Sequence, residues 1–122
     1  MILVDTSVWI DHFRHTENGL VRLLNFASVL THPFVIGELA LGHLKNRGEK
    51  IDALRNLPQA IIATDGEVMH LIDSNSLHGK GIGYIDAHLL AAAKLSKATI
   101  WTRDKALLKI SKSLHLATSL PH

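Results

Sequence analysis

The 122-residue chain contains no cysteine, which excludes a disulfide framework and any thiolate metal site and agrees with a reducing compartment. Aromatic residues make up only 5% of it, too few for an evident platform on which nucleobases would stack. Neither charge sign dominates, since 13 Lys+Arg face 11 Asp+Glu for a formal net charge of +2. No window approaches the roughly 18 consecutive apolar residues of a membrane-spanning helix. Met1-Ile2-Leu3-Val4-Asp5 has neither the basic start nor the long apolar stretch of a leader. The expectation is a soluble, unexported, cytoplasmic protein with no membrane partner. Internal repeats, low-complexity tracts and interdomain linkers are also missing. Residues 1–122 therefore read as one domain, of a size that buries roughly two-thirds of its unfolded surface.

What is present is apolar and periodic. Hydrophobic residues reach 47% and the mean hydropathy is +0.16, high for so small a soluble chain, so apolar surface is expected to remain for a second copy or another partner. Ile2-Leu3-Val4 reads as a strand that stops at Asp5-Thr6-Ser7 and feeds a helix over Val8 to Phe13. Further helices are expected over Gly19 to Ala27, Pro33 to Leu44 with Thr31 as a possible cap, Glu49 to Leu57, Glu67 to Leu77, Tyr84 to Leu95 and Lys105 to Ser113. Strands are expected at Val29-Leu30-Thr31, Ala60-Ile61-Ile62-Ala63, Thr99-Ile100-Trp101-Thr102 and Leu114-His115-Leu116. Such alternation favours an α/β fold with a parallel sheet covered on both sides.

Four carboxylates, Asp5, Glu38, Asp86 and Asp104, stand beside or inside apolar runs, where an unpaired charge is costly. No Lys or Arg stands at helical or strand spacing from Asp5 or Glu38, which leaves a divalent cation as the simplest partner. Asp5 and Asp104 directly follow strands, at the carboxyl edge where ligands gather in open parallel sheets. Glu38 and Asp86 lie on helices able to aim at the same edge. Taken singly, Asp5 or Asp104 is more commonly a helix N-cap, and Asp86 in a first turn favours its helix dipole. Glu38, among Phe34, Val35, Ile36, Leu39 and Leu41, is harder to place as ordinary surface. If the four acids share one pocket, the remaining surface is more basic than +2 implies, which favours a polyanionic partner.

Met1-Ile2-Leu3-Val4-Asp5-Thr6-Ser7-Val8-Trp9, Gly37-Glu38-Leu39, Ile85-Asp86-Ala87 and Ile100-Trp101-Thr102-Arg103-Asp104-Lys105, in this order, resemble the signature blocks of PIN-domain nucleases, and most nearly those of VapC-type toxins. The resemblance implies a PIN-like three-layer sandwich with a five-stranded parallel sheet flanked by helices. It implies a catalytic set of Asp5, Glu38, Asp86 and Asp104, with Asp5, Asp86 and Asp104 as metal residues and Glu38 positioning or deprotonating the attacking water. Thr6, Ser7 and Thr102 fall on supporting hydroxyl positions, although a hydroxyl in a strand-to-helix turn is commonly a cap. Ala106-Leu107-Leu108 stands where the family often carries an aromatic residue. The implied activity is that of an endoribonuclease toxin. The implied partners are an RNA substrate such as tRNA, a cognate VapB-type antitoxin and a second copy in a homodimer.

Hard oxygen ligands without cysteine select Mg²⁺, with Mn²⁺ also suited, and such ions serve hydrolysis of phosphodiesters. Arg103, Lys105 and Lys80 are candidates for RNA contact, with Lys45 and Arg47 behind them. Gly79-Lys80-Gly81-Ile82-Gly83 lacks the spacing and Lys-Ser/Thr ending of a P-loop. The histidines include no His-Glu-x-x-His pair, and only His12 and His15 share a helical spacing. Two other classes remain open. One is a receiver-like signalling module with Asp65 as phosphoacceptor, which lacks the usual acid pair after the first strand. The other is a catalytically silent nucleic-acid binder. A phosphatase beginning Asp-x-Asp is disfavoured because Ser7 occupies the second acid's place.

Overall fold

A computed structural model describes residues 1–119, so the last three residues of the expected domain lie outside the described residues. In chain order the elements are β1 (Ile2–Val4), α1 (Thr6–Arg14), α2 (Asn18–Asn25), β2 (Val29–Leu30), α3 (Pro33–Leu41), α4 (Arg47–Arg55), α5 (Asp65–Ser74), α6 (Tyr84–Leu95), β3 (Thr99–Trp101) and α7 (Lys105–Ser113). The strands form a parallel sheet in the order β2-β1-β3. Its register pairs Ile2 with Val29 and Thr99, and Leu3 with Leu30 and Ile100. Parallel strands buried on both faces need continuous apolar runs, and Leu3, Val4, Val29, Leu30, Ile100 and Trp101 are buried accordingly.

The sheet has three strands among the described residues, not five, and each missing strand has a local cause. The segment after Pro58 makes one parallel bridge, Thr31 to Gln59. Pro58 lacks an N–H to donate, and the Ile61 amide turns away to the Ser96 hydroxyl at 2.8 Å, leaving Ile61 and Ile62 exposed. On the other side the expected strand over 114–116 is broken by His115, which takes a positive φ of 58°. A single bridge, Ile100 to Ala117, remains there. Extended strands have no place for the left-handed backbone that His115 adopts.

The helices surround this sheet, with α6 the most deeply placed. Ala87, His88, Leu89, Leu90, Ala91, Ala92 and Ala93 are all buried, as small and straight-chain residues allow where a helix lies close against a sheet. Tyr84–Leu95 and Lys105–Ser113 have the bounds their sequences predict. By contrast α3 stops at Leu41, with Gly42 as its C-cap, and does not reach Leu44. Its N-cap is His32, whose ring Nδ1 accepts the Phe34 amide at 3.0 Å, while the Thr31 hydroxyl, expected as the cap, is buried without a hydrogen-bond partner among the described residues. The helix α5 begins two residues early because Thr64 and Glu67 form a reciprocal capping box, at 3.1 and 2.9 Å. Among the described residues no helix is long and apolar enough to cross a membrane.

Candidate acidic active site

Parallel strands place all their carboxyl ends on one edge, and the residues that follow β1 and β3 meet there. Asp5 follows β1, and its amide donates to the Trp101 carbonyl of β3 at 2.9 Å. Although Asp5 sits at the N-cap of α1, its side chain makes no cap bond. Its Oδ2 instead accepts from the Ser7 hydroxyl at 2.8 Å and the Thr102 hydroxyl at 2.7 Å. Only 6% of Asp5 is exposed, so these two donors are what permits a carboxylate to stay there. The web continues, because the Arg103 amide donates to Ser7 Oγ at 3.0 Å and the Asp104 amide to Thr102 Oγ1 at 3.1 Å.

The other acids arrive from three helices. Asp104 is a true N-cap, its Oδ1 accepting the Leu107 amide of α7 at 2.9 Å. Glu38, exposed on α3, accepts the Thr6 hydroxyl on Oε1 at 2.8 Å. Asp86, in the first turn of α6, accepts the Gly83 amide on Oδ2 at 3.1 Å. Burial pushes the Asp86 carboxyl above the usual range. The Gly83 amide opposes that rise, and the charges of Asp5, Asp104 and Glu38 add to it. Asp5, Asp104 and Glu38 therefore all lie within electrostatic reach of Asp86. Thr6 bonds Glu38, and Ser7 and Thr102 bond Asp5, at the positions the resemblance gives to supporting hydroxyls.

These residues suit a divalent cation by charge and donor chemistry, since all four offer hard oxygens and Asp86 feels three like charges. Among the described residues no three His, Asp or Glu side chains stand close enough to enclose an ion. An ion such as Mg²⁺ that keeps several waters and takes one or two carboxylates suits such an open set.

The predicted basic contacts divide. Arg103 Nη1 donates to Asp11 Oδ2 at 2.8 Å and Nη2 to Glu17 Oε2 at 2.5 Å. Its charge is therefore already balanced, which favours a structural role over a hold on phosphate. Lys105 and Lys80 are exposed, Lys80 between two glycines of positive φ, Gly79 at 69° and Gly81 at 83°. Arg47 donates through Nε to the Ala40 carbonyl at 3.1 Å, and Lys45 is exposed. Asp11 and Glu17 escaped the sequence reading, because an acid on a polar helix face gives no sign of which distant arginine it will meet. Asp65, the phosphoacceptor of the signalling alternative, opens α5 and follows no strand. Its Oδ1 accepts the Tyr84 hydroxyl at 3.0 Å and lies 3.3 Å from His88 Nε2.

Comparison with known proteins agrees with this arrangement. The family model for the PIN domain matches residues 2–113. Ribonuclease VapC32 of Mycobacterium tuberculosis, strain CDC 1551 / Oshkosh, is 48% identical over 108 residues, covering 88% of this chain and 87% of the relative. The protein of the same name from strain ATCC 25618 / H37Rv matches with the same identity and coverage. A parallel sheet flanked by helices, acids from four elements converging at its carboxyl edge, and a family match across nearly all of its length lead to one assignment: the chain is a VapC-type member of the PIN-domain family.

Proposed function

We propose that this protein is an endoribonuclease that hydrolyses RNA phosphodiester bonds with Mg²⁺ or Mn²⁺, and that it acts in the cytoplasm as the toxin of a toxin-antitoxin pair. The observation that carries the reading is that Asp5, buried at the strand edge and held there by the Ser7 and Thr102 hydroxyls, acts with Asp104 and Glu38 on the charge of Asp86. Its relatives bear the name ribonuclease, and a silent nucleic-acid binder would have no need of a complete and mutually repelling acid set. The receiver-like alternative has no acid pair at the strand edge around Asp65.

Asp5, Asp86 and Asp104 would hold the cation, directly or through its bound waters. When bound, a divalent ion supplies Lewis-acid polarisation of the phosphate and a lowered pKa for water. The chain's own residues do the rest. Ser7 and Thr102 both donate to Asp5 Oδ2 and fix its rotamer, which leaves Oδ1 free of those bonds for a cation that would bind there. Thr6 occupies Glu38 Oε1, so Oε2 is the atom that takes the proton from the attacking water. Asp104 commits Oδ1 to the α7 cap, and Oδ2 takes no part in that bond.

The VapC-type assignment supports a VapB-type antitoxin as regulator, a second copy as dimer partner, and structured RNA such as tRNA as substrate. Expression with and without the neighbouring small open reading frame, followed by mapping of new RNA ends, tests the whole reading. Growth arrest relieved by the neighbour, with discrete new ends, is the expected result. In purified protein, Asp5→Asn is expected to abolish metal-dependent cleavage while the circular-dichroism spectrum stays that of the wild type. Turnover retained by the folded variant would overturn the assignment of Asp5.

A further inference from the structure

A groove of about 470 Å³ opens beside Glu38, between α1, α3 and the start of α4. Phe13 forms part of its wall, with its ring stacked on Trp9 at 5.7 Å between centroids and Lys50 Nζ held 4.9 Å from its own. Arg14, His43 and Lys45 are exposed along the same groove, and Glu38, from the acid site, is the one carboxylate in its lining. Among the described residues Arg14, Lys45 and Lys50 form no ion pair, whereas Arg103 close by is held by two acids. Three cations without an ion pair thus share one concavity with a single carboxylate, a charge balance that suits a polyanion.

We propose that this groove carries the stretch of RNA adjoining the scissile bond, with Arg14, Lys45 and Lys50 on its phosphates and the Phe13 ring against a base. The inference rests on the ribonuclease reading and adds to it the path of the substrate. Two features support it together. The groove is continuous with the acid site through Glu38, and its charge is opposite to that of the substrate. Lys50 has no carboxylate to leave, so moving from the Phe13 ring to a phosphate exchanges a weak cation–π contact for a stronger charge pair. A base then finds the ring face that Lys50 releases, where stacking tolerates any sequence.

The test measures binding separately from cleavage. In the Asp5→Asn background, Arg14, Lys45 and Lys50 are replaced together by Gln. Affinity for a fluorescein-labelled single-stranded RNA oligonucleotide is then followed by anisotropy across a salt series. Each phosphate contact contributes about −0.7 to the slope of log affinity against log salt for single strands. The triple variant should therefore lose roughly 2 from that slope and bind roughly tenfold or more weakly at low salt. A control removes the same charge as Lys94→Gln, Lys97→Gln and Lys112→Gln. These residues lie in or just after the last turns of α6 and α7, helices that begin at the acid edge and run back to the opposite one. The control should keep both slope and affinity, and melting temperatures verify that both variants fold.

An unchanged slope and affinity in the Arg14/Lys45/Lys50 variant would overturn the proposal and leave the groove to an acidic protein segment. If the wild type cleaves RNA and the slope is unchanged, only the groove assignment falls. If the wild type does not cleave, the ribonuclease reading falls, and the binding arm still decides whether RNA uses the groove.

Discussion

His32 carries an unusual double duty for a single side chain. It is 0% exposed, its Nδ1 caps α3 through the Phe34 amide, and its Nε2 has no partner among the described residues. Burial, with a smaller contribution from nearby His88, lowers its pKa from 6.5 to about 4. Protonating Nδ1 would also remove the acceptor on which the helix start depends. Between these two values the unfolded chain takes the proton first, so stability is whole above about pH 6.5 and falls as pH drops toward 4. The expected loss from pH 7 to pH 5 is roughly 2 kcal/mol. His32→Asn keeps an acceptor at the cap without a titrating ring. Urea unfolding at the two pH values should show a flatter dependence for the variant, and parallel profiles would exclude His32 as the source. Sequence marks Asp5, Glu38, Asp86 and Asp104 by their apolar flanks. It does not mark His32, because a histidine before proline reads as loop until burial and ring orientation are known.

At the level of elements, helices with strong local signals were legible and sheet borders were not. The helices α6 and α7 have caps and apolar periodicity in their own residues. The two outer strands depended on whether Ile61 and His115 would hold ladder geometry, which is decided by Ser96 and by the turn leaving α7. Arg103 shows another tie that crosses elements. It links the loop after β3 to Asp11 of α1 and to Glu17, the N-cap of α2, and its guanidinium lies 5.8 Å from the Trp101 ring. Because the three side chains are partly exposed, the links are worth less than buried ones. Arg103→Ala is expected to cost about 1–2 kcal/mol in urea unfolding. Arg103→Lys should recover little, since an ammonium cannot serve two carboxylates with a planar fork. Full recovery by lysine would show that bulk charge, not geometry, holds the loop.

For the molecule as a whole, the acid site opposes folding. Apolar packing places acids from β1's end, α3 and α7's cap near Asp86 of α6, whose pKa is raised first by burial and further by their charges. A carboxyl whose pKa is raised on folding destabilises the native state wherever it is ionised. In metal-free buffer at neutral pH, Asp86→Asn should therefore raise the melting temperature by a few degrees while impairing cleavage. Excess Mg²⁺ should narrow the gap by stabilising the wild type more than the variant. A variant that melts below the wild type without metal would contradict this account. The four acids were legible as candidates from their apolar flanks and the order of the motif blocks, whereas the course of the hydrogen bonds around Asp5 required the fold.

The sheet's borders have a separate consequence. Among the described residues each ends in one lone bridge, Thr31 to Gln59 on one flank and Ile100 to Ala117 on the other. A ladder that stops after a single rung gives an incoming strand almost nothing to zip onto. Along these flanks, neither fibril-like stacking nor recruitment by strand addition finds a template, so a companion chain must recognise helical surfaces and side chains instead.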